Sequence, residues 1–135
     1  MNNSNIAILL IRAALGIMFV AHGLLKIMVF TLAGTAQFFS QVGFPSWMAY
    51  PVTFFEITGG VLLILGFYSR FVAIAAVPVL LGALYVHLGN GWLFSSANGG
   101  WEYPAFLAIT AVVVALLGDG EYSIRSVFAR RNQST

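Results

Sequence analysis

Four stretches of the chain are apolar almost without interruption, at 5–30, 47–67, 71–88 and 101–117. A helix needs about 20 mostly apolar residues to cross a bilayer, so all four qualify, the last two near the short end of the range. The runs are continuous rather than alternating, which predicts helices and not barrel strands. The breaks between them have local causes. Gly43 and Pro45 punctuate the first loop, and Ser46 is placed to cap the second helix. Pro51 and Pro104 fall in first turns, where a missing N–H costs little. Gly66 and Ser69-Arg70 mark a tight second turn, and Gly89-Asn90-Gly91 and Asn98-Gly99-Gly100 bracket the third loop. Pro78 lies inside the third helix and predicts a kink there. The expected architecture is all-α: one domain over residues 1–135, folded as a four-helix transmembrane bundle. Small residues such as Gly16, Gly23, Gly59, Gly60 and Gly82 are its expected helix contacts.

Composition supports that pattern. Hydrophobic residues make up 60% of the chain and charged residues 7%, whereas a water-facing domain carries about 25% charged residues. The natural solvent of this surface is lipid. The chain has no cysteine, which excludes disulfides, thiolate metal sites and a dithiol couple of its own. A net charge of +2 gives no footprint for nucleic acid. Residues 1–5 hold no Lys or Arg, and the apolar run that follows outlasts a signal peptide, so it reads as an uncleaved first helix. Arg70, Arg125, Arg130 and Arg131 fall on one side of the predicted membrane, and the first and third loops hold no Lys or Arg. Both termini are therefore expected in the cytoplasm, with the C-terminal arginines anchoring at the membrane surface.

Six ionisable residues in or beside the apolar runs then need an explanation: Arg12, His22, Lys26, Glu56, His87 and Glu102. A charge at the centre of a spanning helix costs about 3 kcal/mol or more, so each must be paired, drawn to the interface or lining a cavity. Glu56 falls near the predicted midplane. His22 and Lys26 share a face one turn apart, and His87 and Glu102 fall at outer helix ends. All four helices can thus send a polar group into the outer half of the bundle. Glu56 has no cation nearby in sequence. Arg12 or Lys26 could pair with it from another helix, although Arg12 could instead snorkel to the cytoplasmic interface. Such a pair could merely fix helix register, or Glu56 could handle a proton or touch a ligand. His22 and His87 with Glu56 or Glu102 are the residue types of a metal set, but no His-x-x-x-His spacing occurs, and a neutral histidine hydrogen-bonded inside the bundle is the commoner case. No metal site is predicted. Trp101 and Tyr103 read as interfacial anchors, with Glu102 favoured by the helix dipole. His87 and Glu102 reach the same level and could hydrogen-bond across the third loop. Phe38, Phe39, Phe44, Trp47, Trp92 and Phe94 crowd the outer loops. An aromatic rim over a polar cluster suits a flat ring such as a quinone, and suits ordinary interfacial packing equally well.

These residues resemble a known pattern. Leu10-Ile11-Arg12-Ala13-Ala14-Leu15-Gly16, then Ala21-His22-Gly23 and Lys26, are similar to the opening of the DoxX family. Phe55-Glu56-Ile57-Thr58-Gly59-Gly60, Leu65-Gly66 and Arg70 resemble its second helix and turn. His87 and Gly100-Trp101-Glu102-Tyr103-Pro104 resemble the end of its third helix and the start of its fourth. Leu117-Gly118-Asp119-Gly120-Glu121-Tyr122-Ser123 resembles its closing motif. The likeness runs along nearly the whole chain. It implies a small four-helix protein of the inner membrane. Some relatives are subunits of a thiosulfate:quinone oxidoreductase, and others are linked to catechol or quinone detoxification or to complexes that handle thiol and oxidative stress. Carried over by position, the resemblance marks Arg12, His22, Lys26, Glu56, Arg70, His87 and Glu102. The absence of cysteine argues against direct thiol chemistry on this chain.

Three functions compete. The first is a membrane subunit of a redox system that binds a quinone or a similar aromatic, with a redox partner protein. Glu56 and His22 would then donate and relay protons. Lys26 or His87 would polarise a ring oxygen, and Arg12 and Glu102 would complete the ligand site. No nucleotide-binding or haem motif appears, so electrons would come from the partner. The second is an assembly subunit whose polar cluster holds the helices together. The third is transport of a metal or small molecule, which four helices without an inverted repeat support only as a homo-oligomer.

Overall fold

The computed structural model of the protein describes residues 2–133. Among these residues six α-helices form: α1 (Asn3–Met28), α2 (Leu32–Gln41), α3 (Ala49–Leu65), α4 (Ser69–His87), α5 (Glu102–Leu117) and α6 (Ile124–Gln133). No strand occurs among the described residues. The four apolar runs become α1, α3, α4 and α5, with ends displaced by no more than two residues. α1, α4 and the stretch from Ser46 through α3 are long and apolar enough to cross a membrane, and α5 is an apolar helix of 16 residues.

Two helices were not expected. α2 lies inside the first loop, and α6 lies in the basic tail. α2 is started by Thr31, whose φ of 63° and ψ of 156° are unusual for a β-branched residue and cost about 1–3 kcal/mol. The strain is offset locally. The Thr31 hydroxyl accepts from the Gly34 N–H at 3.1 Å, and the Thr31 carbonyl accepts from the Thr35 hydroxyl at 2.9 Å.

Three local expectations change. Ser46 does not cap α3: it opens a 3-10 turn, Ser46–Met48, and no side chain caps the helix that follows. Ser69 and Arg70 belong to α4, and the turn before them is made by Gly66 (φ 73°) and Tyr68 (φ 52°). Gly82 is not a helix contact, since a Cβ there would meet only Phe44, at 3.9 Å.

α1 packs mainly on α3, and α4 mainly on α5. The α1–α3 pair is antiparallel and very close. A Cβ on Gly16 would lie 2.6 Å from the Gly60 carbonyl oxygen, and one on Gly60 would lie 2.7 Å from that of Gly16. Only glycine lets two helix backbones touch in this way. The core between the pairs is built from Leu15, Phe19, Leu63, Ala76, Ala111 and Val114. Outside it, Phe54, Phe71, Phe106, Ile109 and Leu116 stand exposed. An apolar surface of that extent suits lipid rather than water.

At the end where α5 stops, Asp119 ties three elements together. One carboxylate oxygen accepts from the Ser69 N–H at 2.7 Å, and the other pairs with Arg125 at 3.1 Å. The Arg125 guanidinium also sits 4.5 Å over the Tyr68 ring. Burial alone would raise the Asp119 carboxyl, but the bonds from Ser69 and Arg125 outweigh it and hold the group below its ordinary value. A depressed carboxylate stabilises the fold above the unfolded-state pKa, near 3.9, and that stability is lost as pH falls through the folded value. Thermal unfolding of detergent-solubilised protein followed from pH 7 to 3 is therefore expected to drop below about pH 4. Asp119→Asn should lose that part of the drop.

Candidate functional site

The site starts from the close approach of α1 and α3. Gly23 faces Ile57 and Glu56 so tightly that a Cβ would come within 2.6 Å of the Ile57 side chain. One turn later on the same face, Lys26 is brought within reach of α3. Its Nζ donates to both carboxylate oxygens of Glu56, at 2.7 and 2.6 Å. The pair is largely enclosed, with side-chain exposures of 17% for Lys26 and 8% for Glu56. Of the two expected partners for Glu56, Lys26 is the one that meets it.

His22 lies one turn before Lys26, within electrostatic reach of Glu56. Its Nδ1–H donates to the Met18 carbonyl at 2.7 Å. A carbonyl only accepts, so the neutral ring carries its proton on Nδ1 and leaves the Nε2 lone pair open. The imidazole stacks on Tyr103 of α5, with ring centroids 6.0 Å apart and planes 25° from parallel. The Tyr103 hydroxyl is buried and makes no hydrogen bond. A buried unpaired hydroxyl costs about 1–3 kcal/mol, which makes it a donor held in reserve. In the sequence Tyr103 has the character of an interfacial anchor only. Its place beside Glu102 at the helix start was the one available signal, because helix rotation has no periodic trace in an all-apolar run.

The other expected site residues lie elsewhere. Arg12 does not pair with Glu56, whose partner is Lys26. Arg12 is 1% exposed, in the half of α1 away from Lys26. Its Nη1 donates to the carbonyls of Leu63 and, at 2.8 Å, Ile64, and its Nη2 donates to that of Tyr122 at 2.7 Å. The first two belong to the last turn of α3, where helical donors run out, and the third to the segment that leads into α6. Arg12 is thus a clamp on the end of α3. Gly66 completes that clamp, since a Cβ there would lie 2.7 Å from Arg12 Nη1 and 2.5 Å from Ser123 Cβ. Arg70 is exposed and donates to the Leu116 carbonyl at 3.3 Å.

His87 and Glu102 do not bond each other: His87 is tied within α4, and Glu102 serves the third loop. His87 Nδ1–H donates to the Ala83 carbonyl at 2.7 Å, and Glu102 accepts from the Phe94 N–H at 2.8 Å. No hydrogen bond or ion pair joins either of them to Lys26 or Glu56 among the described residues. Nor do any three His, Asp or Glu side chains gather as a metal-binding group among those residues. Several aromatics of the first and third loops and their flanking helices pair with one another: Phe39 with Phe44, Phe44 with Tyr85, and Trp92 edge-on to Trp101 at 4.5 Å. Phe38, Trp47 and Phe94 remain exposed.

The four groups that come together are therefore Lys26, Glu56, His22 and Tyr103. The arrangement offers a carboxylate held by an ammonium, an imidazole with a free lone pair, and an idle phenol. That is a set able to take up and release protons inside an apolar wall.

The DoxX family model matches residues 7–89, the stretch that contains Arg12, His22, Lys26, Glu56, Arg70 and His87. The chain is also similar to a Bacillus subtilis (strain 168) protein named "Putative oxidoreductase CatD". The two are 37% identical over 119 residues, which cover 87% of this chain and 84% of that protein. No solved structure matches the chain. With the family model spanning more than half of the residues, and a relative of that identity spanning most of both chains, this apolar helical protein belongs to the DoxX family.

Proposed function

We propose that the protein is a membrane subunit of a redox system that binds a quinone or a similar aromatic beside the Lys26–Glu56 pair. In this reading α1, α3, α4 and α5 form a four-helix transmembrane bundle of the inner membrane, with both termini in the cytoplasm. The observation that carries the reading is the enclosed Lys26–Glu56 pair flanked by His22. Reducing a quinone consumes protons as well as electrons. Glu56 and Lys26 can deliver a proton to one ring oxygen, and His22 can recharge them through Nε2. The reserve hydroxyl of Tyr103 can donate to a ring oxygen. The electrons come from a partner protein. The name of the Bacillus relative, an oxidoreductase, agrees with this class of chemistry.

A second reading has its own support. Both Glu56 oxygens are already satisfied by Lys26, as they would be in an assembly subunit whose ion pair only sets helix register.

The deciding experiment is solvent extraction of purified protein, with chromatography and mass spectrometry of the extract. A stoichiometric quinone is expected from the wild type. It should be missing from Glu56→Gln and from His22→Ala preparations that remain folded. An intact wild type free of quinone, or variants that retain it, would overturn the redox reading in favour of the assembly role.

A further inference from the structure

α6 buries none of its residues against the rest of the chain. At 100° per residue, Ile124, Val127 and Phe128 share one face. Arg125 and Arg130 flank that face on either side, Arg131 closes it at the last turn, and Ser126, Ala129 and Gln133 lie opposite. The apolar face is open, with Val127 61% and Phe128 56% exposed. No acidic residue occurs in the helix.

The height of α6 is fixed by its neighbours. The segment before it meets the start of α1 at Ile8, where a Cβ on Gly120 would lie 2.8 Å from the isoleucine side chain. The Arg125 N–H donates to the Gly66 carbonyl, just past the end of α3, at 3.4 Å. Tyr122 is held by buried Arg12. A groove between the end of α3 and α6 is floored by Ile64, Leu65, Ile124 and Val127, with Arg130 and Glu121 at its rim. α6 therefore sits where the long apolar helices end, with grease on one face and cations along both edges.

We propose that α6 lies in the plane of the membrane interface, apolar face in the acyl region, and binds the headgroups of anionic phospholipids. The proposal rests on the long helices crossing the bilayer. An in-plane helix is recognised by an apolar face bordered by Lys or Arg, and basic groups at the surface are drawn to anionic lipid. Arg125 is engaged with Asp119 and Tyr68, and Arg130 and Arg131 carry the basic edge on to the last turn of the helix. A guanidinium has five N–H donors, and the bond from Arg130 to the Glu121 carbonyl at 3.0 Å leaves others for phosphate oxygens.

The cysteine-free chain makes the test direct. Full-length Val127→Cys carries a single environment-sensitive fluorophore in nanodiscs of phosphatidylcholine, or of phosphatidylcholine mixed equally with phosphatidylglycerol. Quenching is read with a lipid-borne quencher and with neutral aqueous acrylamide. In anionic discs, acrylamide access is expected to fall by about two-fold or more, and high salt should restore it. Arg130→Gln with Arg131→Gln should abolish the difference between disc types. A label at Ala129→Cys should stay open to acrylamide in both. Equal access of the Val127 label in both discs, or immersion indifferent to salt and to the arginine pair, would overturn the proposal. A chain that failed to enter discs at all would instead refute the membrane crossing on which it rests.

Discussion

Lys26→Met is expected to lower the stability of the folded chain by about 3–5 kcal/mol, the typical cost of leaving one member of a buried ion pair alone. The size follows from the geometry. Both oxygens of Glu56 rest on one ammonium, and the carboxylate is 8% exposed, so water cannot replace what is lost. The double variant Lys26→Met with Glu56→Leu should recover most of the loss, because neither charge then remains in the apolar wall. Thermal unfolding in a mild detergent, read for both single variants and the double, measures the coupling. Additive losses would mean that the two groups do not depend on each other. Quinone retained by a stable double variant would sever the pair from ligand binding altogether.

The second large effect is expected at the other end of α1. Arg12→Leu removes three bonds to the carbonyls of Leu63, Ile64 and Tyr122 from a site that is 1% exposed. Bonds to a charged group contribute about 1.5–3 kcal/mol each, so the loss should exceed about 3 kcal/mol even after local relaxation. Arg12→Lys should recover only a small part. A single ammonium cannot reach carbonyls on the end of α3 and on the closing segment together, whereas the planar guanidinium does so with two nitrogens. Limited proteolysis near Tyr122 gives a local readout, because the closing segment should open before the helices separate.

Much of this fold can be read directly from the chain. The four continuous apolar runs can hardly be anything but helices, and glycine and proline mark their ends to within two residues. α2 escaped notice because it is ten residues long and begins with an unusual backbone angle at Thr31, which no residue pattern announces. The basic tail reads as a membrane-surface anchor, but three arginines obscure the three-residue apolar face that marks it as a helix. The site was half legible. Glu56 and Lys26 stand out because charge is so costly in an apolar segment. Their pairing depended on Gly23, whose bare backbone sets the spacing of α1 and α3. Arg12 carries the same charge as Lys26 but has a different job, set by the carbonyls that its guanidinium reaches. Tyr103 was hidden by its neighbours, because an aromatic at a helix start reads as an anchor whatever it touches.

The contact between Gly16 and Gly60 also has a mechanical meaning. Two backbones that touch cannot slide or part without losing every contact between them, so α1 and α3 behave as one plank. α4 and α5 form the other plank, and the seam between the two planks is the thinner joint. His22 and Tyr103 face each other across that seam, one ring on each side. The Lys26–Glu56 pair, by contrast, lies wholly within the first plank. A guest arriving from the lipid would prise the planks apart at the rings, since the weakest interface yields first. The ion pair would then be a stationary wall, and Tyr103 would ride on the door.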